Sequence, residues 1–334
     1  MAQRDPLKSY RFGVALGSGS ARGWAHIGVL QALHRLGIIP EVVAGASIGA
    51  LVGAAYASHR MDELESWVSG LRRLDVIRML DISITGGGLL QGRRVLNVFG
   101  EKVENARIEE LHPSFTAVAT DLHNGREVWI SKGPILDAVR ASISLPGLFT
   151  PTKLHGRWLV DGGLVNPVPV SVCRAMGADI VIAVNLNGDM FERIGSRFVE
   201  DSDEPENTTE ATEPNEAEED DVRGLRNSVM RWNVKDVVSF FREQETRRDQ
   251  VETAPGLFDV TAASINIMQD RITRSRMAGD PAEIVISPRL SHIGLMEFHR
   301  AKEAVREGAE AVNRMQSSIE HLLDVHLTAR DNDT

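Results

Sequence analysis

The stretch that decides the fold is Val42-Val43-Ala44-Gly45-Ala46-Ser47-Ile48-Gly49-Ala50-Leu51, in which a short apolar strand leads into a helix through a G-x-S-x-G sequence. A serine at such a strand-to-helix turn takes strained backbone angles and presents its hydroxyl in a cleft, which is the geometry of a nucleophile elbow. Small residues such as Gly45 and Gly49 let the strand and the helix approach without a clash. We therefore predict that Ser47 is a catalytic nucleophile. The alternative is a tight turn in which Ser47 only caps the helix.

The residues around this stretch predict an alternation of strands and helices. Arg11–Leu16 reads as a strand, Ala25–Leu36 repeats apolar residues at helical spacing, and Ile48–Ala57 continues as a second helix. Later runs fit the same sheet and its helices: strands at Phe115–Ala119, Val128–Ile130, Trp158–Val160 and Ile180–Val184, and helices at Ile135–Ala141 and Val170–Met176. The predicted fold class is α/β, a three-layer α/β/α sandwich with a mostly parallel central sheet, in a catalytic domain over residues 11–190.

A glycine-rich loop, Gly17-Ser18-Gly19-Ser20-Ala21-Arg22-Gly23, joins the first strand to the first helix. Successive backbone N–H groups of such a loop can bind an anion, either a phosphate or the oxyanion of an acyl-transfer intermediate. A dinucleotide-binding G-x-G-x-x-G motif needs its third glycine where this chain has Arg22, and a Walker A motif needs a lysine that is absent. An oxyanion loop is the better interpretation, and a nucleotide-dependent oxidoreductase is the weaker alternative.

A third motif, Asp161-Gly162-Gly163, follows the apolar run Trp158–Val160. Because functional groups gather at the carboxyl ends of parallel strands, we expect Asp161 at the same sheet edge as Ser47 and the glycine loop. The alternative is an ordinary Asp-Gly turn. Only one strand and one helix precede Val42, which argues against an ordinary Ser-Asp-His triad. His26, near the glycine loop, is interpreted as a packing residue or as one that supports this loop, and not as the base.

Charge and composition bound the function. The chain has 334 residues, of which 42% are hydrophobic, one cysteine and a formal net charge of −10. Residues 200–221 contain 12 acidic residues and no Lys or Arg, so the rest of the chain carries a net charge of +2. We predict a disordered acidic loop at 200–221 and no nucleic-acid partner. The slightly basic remainder is compatible with an anionic phospholipid surface.

The region over residues 225–330 is predicted to be mostly helical, with helices at Val234–Arg248, Thr261–Met277 and Met296–Val325 and one strand at Ile284–Ile286. Whether these elements cover the sheet or form a separate cap is open. No secretion signal, membrane span or metal-ligand spacing is evident. We expect a cytoplasmic protein that can approach the inner face of the membrane peripherally.

An amphipathic, basic stretch separates the second helix from the later strands. It contains Leu64, Trp67, Leu71 and Leu74 with neighbouring arginines, and Gly86–Gly88 follows. It fits either a surface helix that packs on the core or, less well, an interfacial helix with a flexible flap.

Five stretches together resemble the patatin-like phospholipase family, in particular its bacterial RssA-type branch grouped with neuropathy target esterase: Leu16–Leu30, Val43–Ala57, Arg140–Pro151, Trp158–Val170 and Arg276–Pro281. The resemblance implies a patatin-like sandwich and a serine hydrolase that uses a Ser-Asp dyad without histidine. Ser47 would be the nucleophile, Asp161 its base, and the backbone around Gly19 and Ser20 the oxyanion hole. The motif glycines would be Gly17, Gly23, Gly45, Gly49, Gly162 and Gly163.

The implied activity is hydrolysis of lipid esters, of phospholipid or lysophospholipid type, at a membrane surface and without a cofactor or metal. A regulatory or lipid-binding protein that keeps this scaffold with little turnover is the alternative. The acyl-chain and headgroup preference and the oligomeric state stay open at this level.

Overall fold

The computed structural model of the chain describes residues 10–79, 88–90, 106–189 and 257–331. The described residues up to 189 and from 257 onward belong to one compact unit. The acidic loop predicted at 200–221, the helix predicted at Val234–Arg248 and the first two glycines of Gly86–Gly88 lie outside the described residues.

A mixed sheet forms the centre of this unit. The described strands are β1 (Phe12–Leu16), β2 (Val42–Ala46), β3 (Gly88–Leu90), β4 (Ser114–Asp121), β5 (Glu127–Ile130), β6 (Gly147–Phe149), β7 (Thr152–Leu154), β8 (Arg157–Asp161), β9 (Ile180–Val184) and β10 (Ile284–Ile286). The central order is β10-β9-β1-β2-β4-β8-β7, with β5 also paired to β4, whereas β3 and β6 pair with each other. Pairs from β10 to β4 are parallel; β5, β7 and β8 run antiparallel to their partners.

The direction of the strand that carries Asp161 differs from the prediction. β8 runs antiparallel to β4, with Asp161 opposite Ala119, so the expectation that it is one more parallel strand is wrong. β2 pairs with β4 as far as Ala46 and Val118. β4 is longer than β2. Beyond the end of β2, the same edge of β4 pairs with β8. The ends of β2 and β8 therefore meet, and Asp161 still arrives beside Ser47.

The described helices are α1 (Ala25–Arg35), α2 (Ile48–Ala57), α3 (Met61–Ser69), α4 (Arg73–Met79), α5 (Ile135–Ser142), α6 (Val170–Ala175), α7 (Leu257–Gly279), α8 (Ala301–Arg314) and α9 (Gln316–Asp331). The single helix predicted over Met296–Val325 is wrong. A 3-10 turn at Phe298–Arg300 comes first, and α8 and α9 are separated at Met315, whose φ of −99° and ψ of 2° are not helical. Among the described helices, none has an apolar run long enough to cross a bilayer.

The core lies on both faces of the sheet because side chains alternate along each strand. In β1, Val14 and Leu16 belong to a cluster with residues of α1, α2 and α5 on one face. Ala15 belongs to a second cluster on the other face, which includes residues of α6 and contacts Met277 near the end of α7. Helices thus cover both faces, which confirms the predicted three-layer α/β/α class.

The described C-terminal elements, from residue 257 onward, belong to the same unit as the sheet and do not form a separate cap. β10 pairs with β9 and extends the parallel part of the sheet. α8 crosses α1 so closely that a Cβ added at Gly28 would lie 1.8 Å from the Val305 carbonyl oxygen, and one added at Gly308 would lie 2.0 Å from that of Ala25. Residues far apart in the sequence therefore complete the layer that packs against α1.

Candidate active site

Ser47 lies at the sharp turn between β2 and α2. Its φ of 56° and ψ of −126° are unusual for a residue with a side chain, and this strain is typical of a nucleophile elbow. A Cβ at Gly45 would lie 2.4 Å from the Gly49 carbonyl oxygen, and one at Gly49 would lie 2.1 Å from the carbonyl oxygen of Leu16. The two glycines of the G-x-S-x-G sequence are thus required by close backbone contacts. Gly17, Gly23 and Gly162 are similarly close to neighbouring atoms.

Ser142, at the end of α5, holds this turn in place. Its Oγ accepts a hydrogen bond from the backbone N–H of Ser47 at 2.9 Å and donates one to the carbonyl of Val118 at 2.5 Å. Ser142 is fully buried. The sequence did not single out this residue, although it lies in the Arg140–Pro151 stretch that carries the family resemblance.

Ser47 and Asp161 are in direct contact. The Ser47 hydroxyl donates a hydrogen bond to Oδ2 of Asp161 at 2.5 Å. The other carboxyl oxygen, Oδ1, accepts one from the backbone N–H of Gly163 at 2.7 Å. One carboxyl oxygen of Asp161 therefore caps the Asp-Gly turn, and the other contacts Ser47.

Burial changes the acidity of Asp161. The residue is fully buried, and desolvation raises the pKa of its carboxyl group from 3.8 to about 7, against the opposing effect of the hydrogen bonds from Ser47 and Gly163. A carboxylate with a pKa near neutrality is a far stronger base than a free aspartate. The group can therefore accept and return a proton near pH 7.

The glycine loop offers two backbone donors. The amides of Gly17, Ser18, Ala21 and Arg22 all donate to backbone carbonyls, whereas those of Gly19 and Ser20 have no acceptor among the described residues. Ser20 has a positive φ of 52°, which is costly for a serine. Its hydroxyl donates to the carbonyl of Leu295 at 2.6 Å, an acceptor 275 residues away that nothing in the sequence pattern indicated.

Two buried side chains, Arg22 and His26, hold the same loop in place. Arg22 is 1% exposed and donates to Oδ1 of Asn266 on α7 at 3.0 Å, with Asp189 close enough to act on its charge. Burial lowers the pKa of Arg22 to about 10. Nε2 of His26, also fully buried, bonds the carbonyl of Gly17 at 2.8 Å, and burial lowers the pKa of this imidazole to about 4. Both residues are therefore structural anchors of the loop.

An apolar cleft lies next to Ser47 and Ser20. One wall is formed by Trp24, Ile48, Leu51, Ile143 and Phe149. The other residues come from α3, α4, the loop between them and the C-terminal region: Trp67, Leu71, Val76, Met296 and Phe298. Apart from the two serines, every described residue that lines the cleft is apolar.

The amphipathic stretch after α2 contributes to this cleft. Leu64 and Val68 are buried in the core, whereas Trp67 and Leu71 line the cleft and are partly buried. Leu74, on α4, is 63% exposed. Most of the stretch therefore packs against the protein, as the simpler of the two interpretations expected.

Comparisons with known proteins bear on the family of this chain. A family model described as patatin-like phospholipase matches residues 14–174. An uncharacterised NTE family protein of Mycobacterium bovis is 35% identical, and the match covers 93% of this chain and 93% of that protein. Lysophospholipase NTE1 of Pyricularia oryzae is 30% identical over 89% of this chain, which corresponds to 18% of that longer protein.

A solved structure, that of VipD from Legionella pneumophila, has a TM-score of 0.50 with 15% sequence identity, and the match covers 92% of this chain and 67% of VipD. At this identity the likeness concerns the fold alone. The match to the Mycobacterium bovis protein, in contrast, covers nearly the whole length of both chains. The chain therefore belongs to the NTE family of patatin-like phospholipases, a family of lipid-hydrolysing serine hydrolases.

Proposed function

We propose that the chain hydrolyses the carboxylic esters of phospholipids or lysophospholipids, with Ser47 as the nucleophile and Asp161 as the general base. The observation that carries the proposal is the 2.5 Å hydrogen bond from Ser47 to Asp161, which joins a partly exposed hydroxyl beside an apolar cleft to a fully buried carboxylate. A nucleophile within hydrogen-bond reach of a base is the arrangement that covalent catalysis requires.

In the acylation step, the ionised carboxylate of Asp161 accepts the hydroxyl proton while Ser47 Oγ attacks the ester carbonyl carbon. The carbonyl oxygen becomes an oxyanion, which the backbone N–H groups of Gly19 and Ser20 stabilise. When the tetrahedral intermediate collapses, the bond to the alcohol oxygen breaks and Asp161 returns the proton to that oxygen. The products are the free alcohol and an ester of Ser47.

In the deacylation step, a water molecule takes the place of the alcohol. Asp161 accepts one of its protons as the water oxygen attacks the acyl carbon, and the same amides stabilise the second oxyanion. Collapse breaks the bond to Ser47 Oγ, which recovers its proton from Asp161. The fatty acid leaves and the enzyme returns to its starting state.

The walls of the cleft support a lipid substrate. An acyl chain gains free energy by leaving water for a surface formed by side chains such as Trp24, Trp67 and Phe298. The lysophospholipase among the relatives is consistent with this class of substrate. The substrate would be reached at a membrane surface, with the protein bound there peripherally.

The proposal is tested with short-chain p-nitrophenyl esters, lysophospholipids and diacyl phospholipids. Ser47→Ala and Asp161→Asn are each expected to lower kcat/KM by at least about a thousandfold, the order seen when a member of a catalytic unit is removed. The matched control is Ser58→Ala at the other end of α2, because the Ser58 hydroxyl bonds the Ala54 carbonyl of the same helix. Wild-type turnover in Ser47→Ala would refute the proposal.

A further inference from the structure

α7 buries polar side chains and exposes apolar ones. Asn266, Gln269 and Thr273 are no more than 6% exposed, whereas Ile267 and Met268 are about half exposed. Burial of polar groups costs free energy unless hydrogen bonds compensate for it. The inward face of this helix must therefore meet polar partners. Asn266 and Gln269 find them in the glycine loop, whereas the Thr273 hydroxyl bonds the Gln269 carbonyl within the helix.

Gln269 makes the central contacts of this face. Its Oε1 accepts a hydrogen bond from the hydroxyl of Ser18 in the glycine loop at 3.0 Å. The same atom accepts one from Nδ2 of Asn187, which follows β9, at 3.3 Å. Two donors on one oxygen fix the orientation of the amide, so that its Nε2 group lies on the side of Gly163.

Gly163 marks the point where the loops converge. A Cβ added at Gly163 would lie 2.6 Å from Nε2 of Gln269, 2.9 Å from Oδ1 of Asp161 and 2.9 Å from Cβ of Ser18. The glycine is therefore required by close contact from three directions. Gln269 is in contact with the glycine loop and lies next to the turn that holds Asp161.

We propose that Gln269 is a positioning residue for the reaction described above, and this inference rests on the proposed function. Its side chain fixes the glycine loop, which carries the Gly19 and Ser20 amides, relative to the turn that carries Asp161. The alignment of the oxyanion donors with the base would then depend on a residue of the C-terminal helix.

The electrostatic surroundings make this role measurable. The pKa of Asp161 responds to its burial and to the hydrogen bonds from Ser47 and Gly163. Among the described residues, the charged and titratable groups on neighbouring elements include Arg22 with Asp189 and His26 under the glycine loop, and Asp270 paired with Arg274 on α7. A carboxylate oxygen in place of the Gln269 amide would disfavour ionisation of Asp161, because like charges repel in a buried site.

Two variants separate positioning from general damage to α7. Gln269→Leu, which removes both the acceptor and the donor, is expected to lower kcat for p-nitrophenyl butyrate by at least about tenfold with KM within about twofold of wild type. Gln269→Glu is expected to shift the acidic limb of the kcat/KM profile upward by at least about half a pH unit. The control is Thr273→Val, whose lost hydroxyl bonds the Gln269 carbonyl within the same helix, and its kcat and acidic limb should match wild type.

A wild-type kcat in Gln269→Leu, or an unmoved acidic limb in Gln269→Glu, would overturn the inference. An equal loss of kcat in Thr273→Val would also overturn it, because the effect would then follow from disturbing the helix. If Ser47→Ala loses ester hydrolysis while the Gln269 variants behave as wild type, this inference alone fails. If Ser47→Ala hydrolyses the ester as well as wild type, the proposed function fails.

Discussion

The buried carboxyl group of Asp161 predicts that Asp161→Asn loses activity and gains stability, by an amount that depends on pH. In the folded chain the Asp161 carboxyl group has a pKa of about 7, whereas its ordinary value, which applies to the unfolded chain, is 3.8. Between these two values the unfolded state binds fewer protons, so the free energy of unfolding falls by about 1.4 kcal/mol per pH unit as the pH rises. The loss is complete above pH 7 and is absent below 3.8.

Asparagine fits the same site as the protonated acid. Its Oδ1 can keep the hydrogen bond from the Gly163 N–H, and its Nδ2 can donate to the Ser47 hydroxyl in place of the present contact. The variant has no carboxyl group at position 161. The difference between its free energy of unfolding and that of wild type should therefore increase by about 3 kcal/mol between pH 5 and pH 8. Its ester hydrolysis should be lost at both pH values.

Urea unfolding followed by tryptophan fluorescence at pH 5, 6, 7 and 8 measures this difference. The acidic segment at 200–221 titrates in both proteins, so its contribution cancels in the comparison. Asp137→Asn, which removes an exposed carboxylate on α5, is the matched control. A stability difference between Asp161→Asn and wild type that is constant from pH 5 to pH 8 would refute the reasoning.

Three further predictions concern the site. The kcat/KM for a neutral ester should rise with pH through an acidic limb near 7, because Asp161 must be ionised to accept the proton; a limb near pH 4 in a pH–rate series would contradict this. Ser142→Ala should lower the free energy of unfolding by about 1–3 kcal/mol and lower kcat, since the Ser47 amide and the Val118 carbonyl both lose their partner; denaturant unfolding and steady-state kinetics measure the two effects. Leu71→Trp should narrow the cleft and reduce kcat/KM for a twelve-carbon ester by about tenfold while leaving the butyrate ester within about twofold; equal losses on both esters would show that this wall does not bind the acyl chain.

The local part of the site could be predicted from the sequence. Ser47 follows a short apolar strand within a G-x-S-x-G sequence, and Asp161 follows the apolar run Trp158–Val160 and precedes two glycines. These signals lie within a few residues of the functional side chain. The direction of β8 could not be predicted, because alternation of apolar residues does not distinguish a parallel from an antiparallel strand. Asp161 nevertheless lies at the expected sheet edge, because β8 pairs with the part of the β4 edge that β2 leaves free.

The parts that depend on distant residues could not be predicted. Periodicity indicated a helix at Thr261–Met277, but it favours burial of the apolar side, whereas α7 buries Asn266 and Gln269 against the polar loop ends. The positive φ of Ser20 is likewise stabilised by the carbonyl of Leu295, far along the chain. Such contacts follow from the tertiary arrangement and leave no local pattern in the sequence.

The measurement that tests the account most directly is mass spectrometry of the protein after reaction with a fluorophosphonate, which traps an activated serine as a covalent adduct. We predict one adduct on the peptide that contains Ser47, its disappearance in Ser47→Ala, and much slower formation in Asp161→Asn, which keeps the serine but not its base. An unlabelled wild-type protein, or an adduct that persists in Ser47→Ala, would contradict the assignment of Ser47 as the nucleophile.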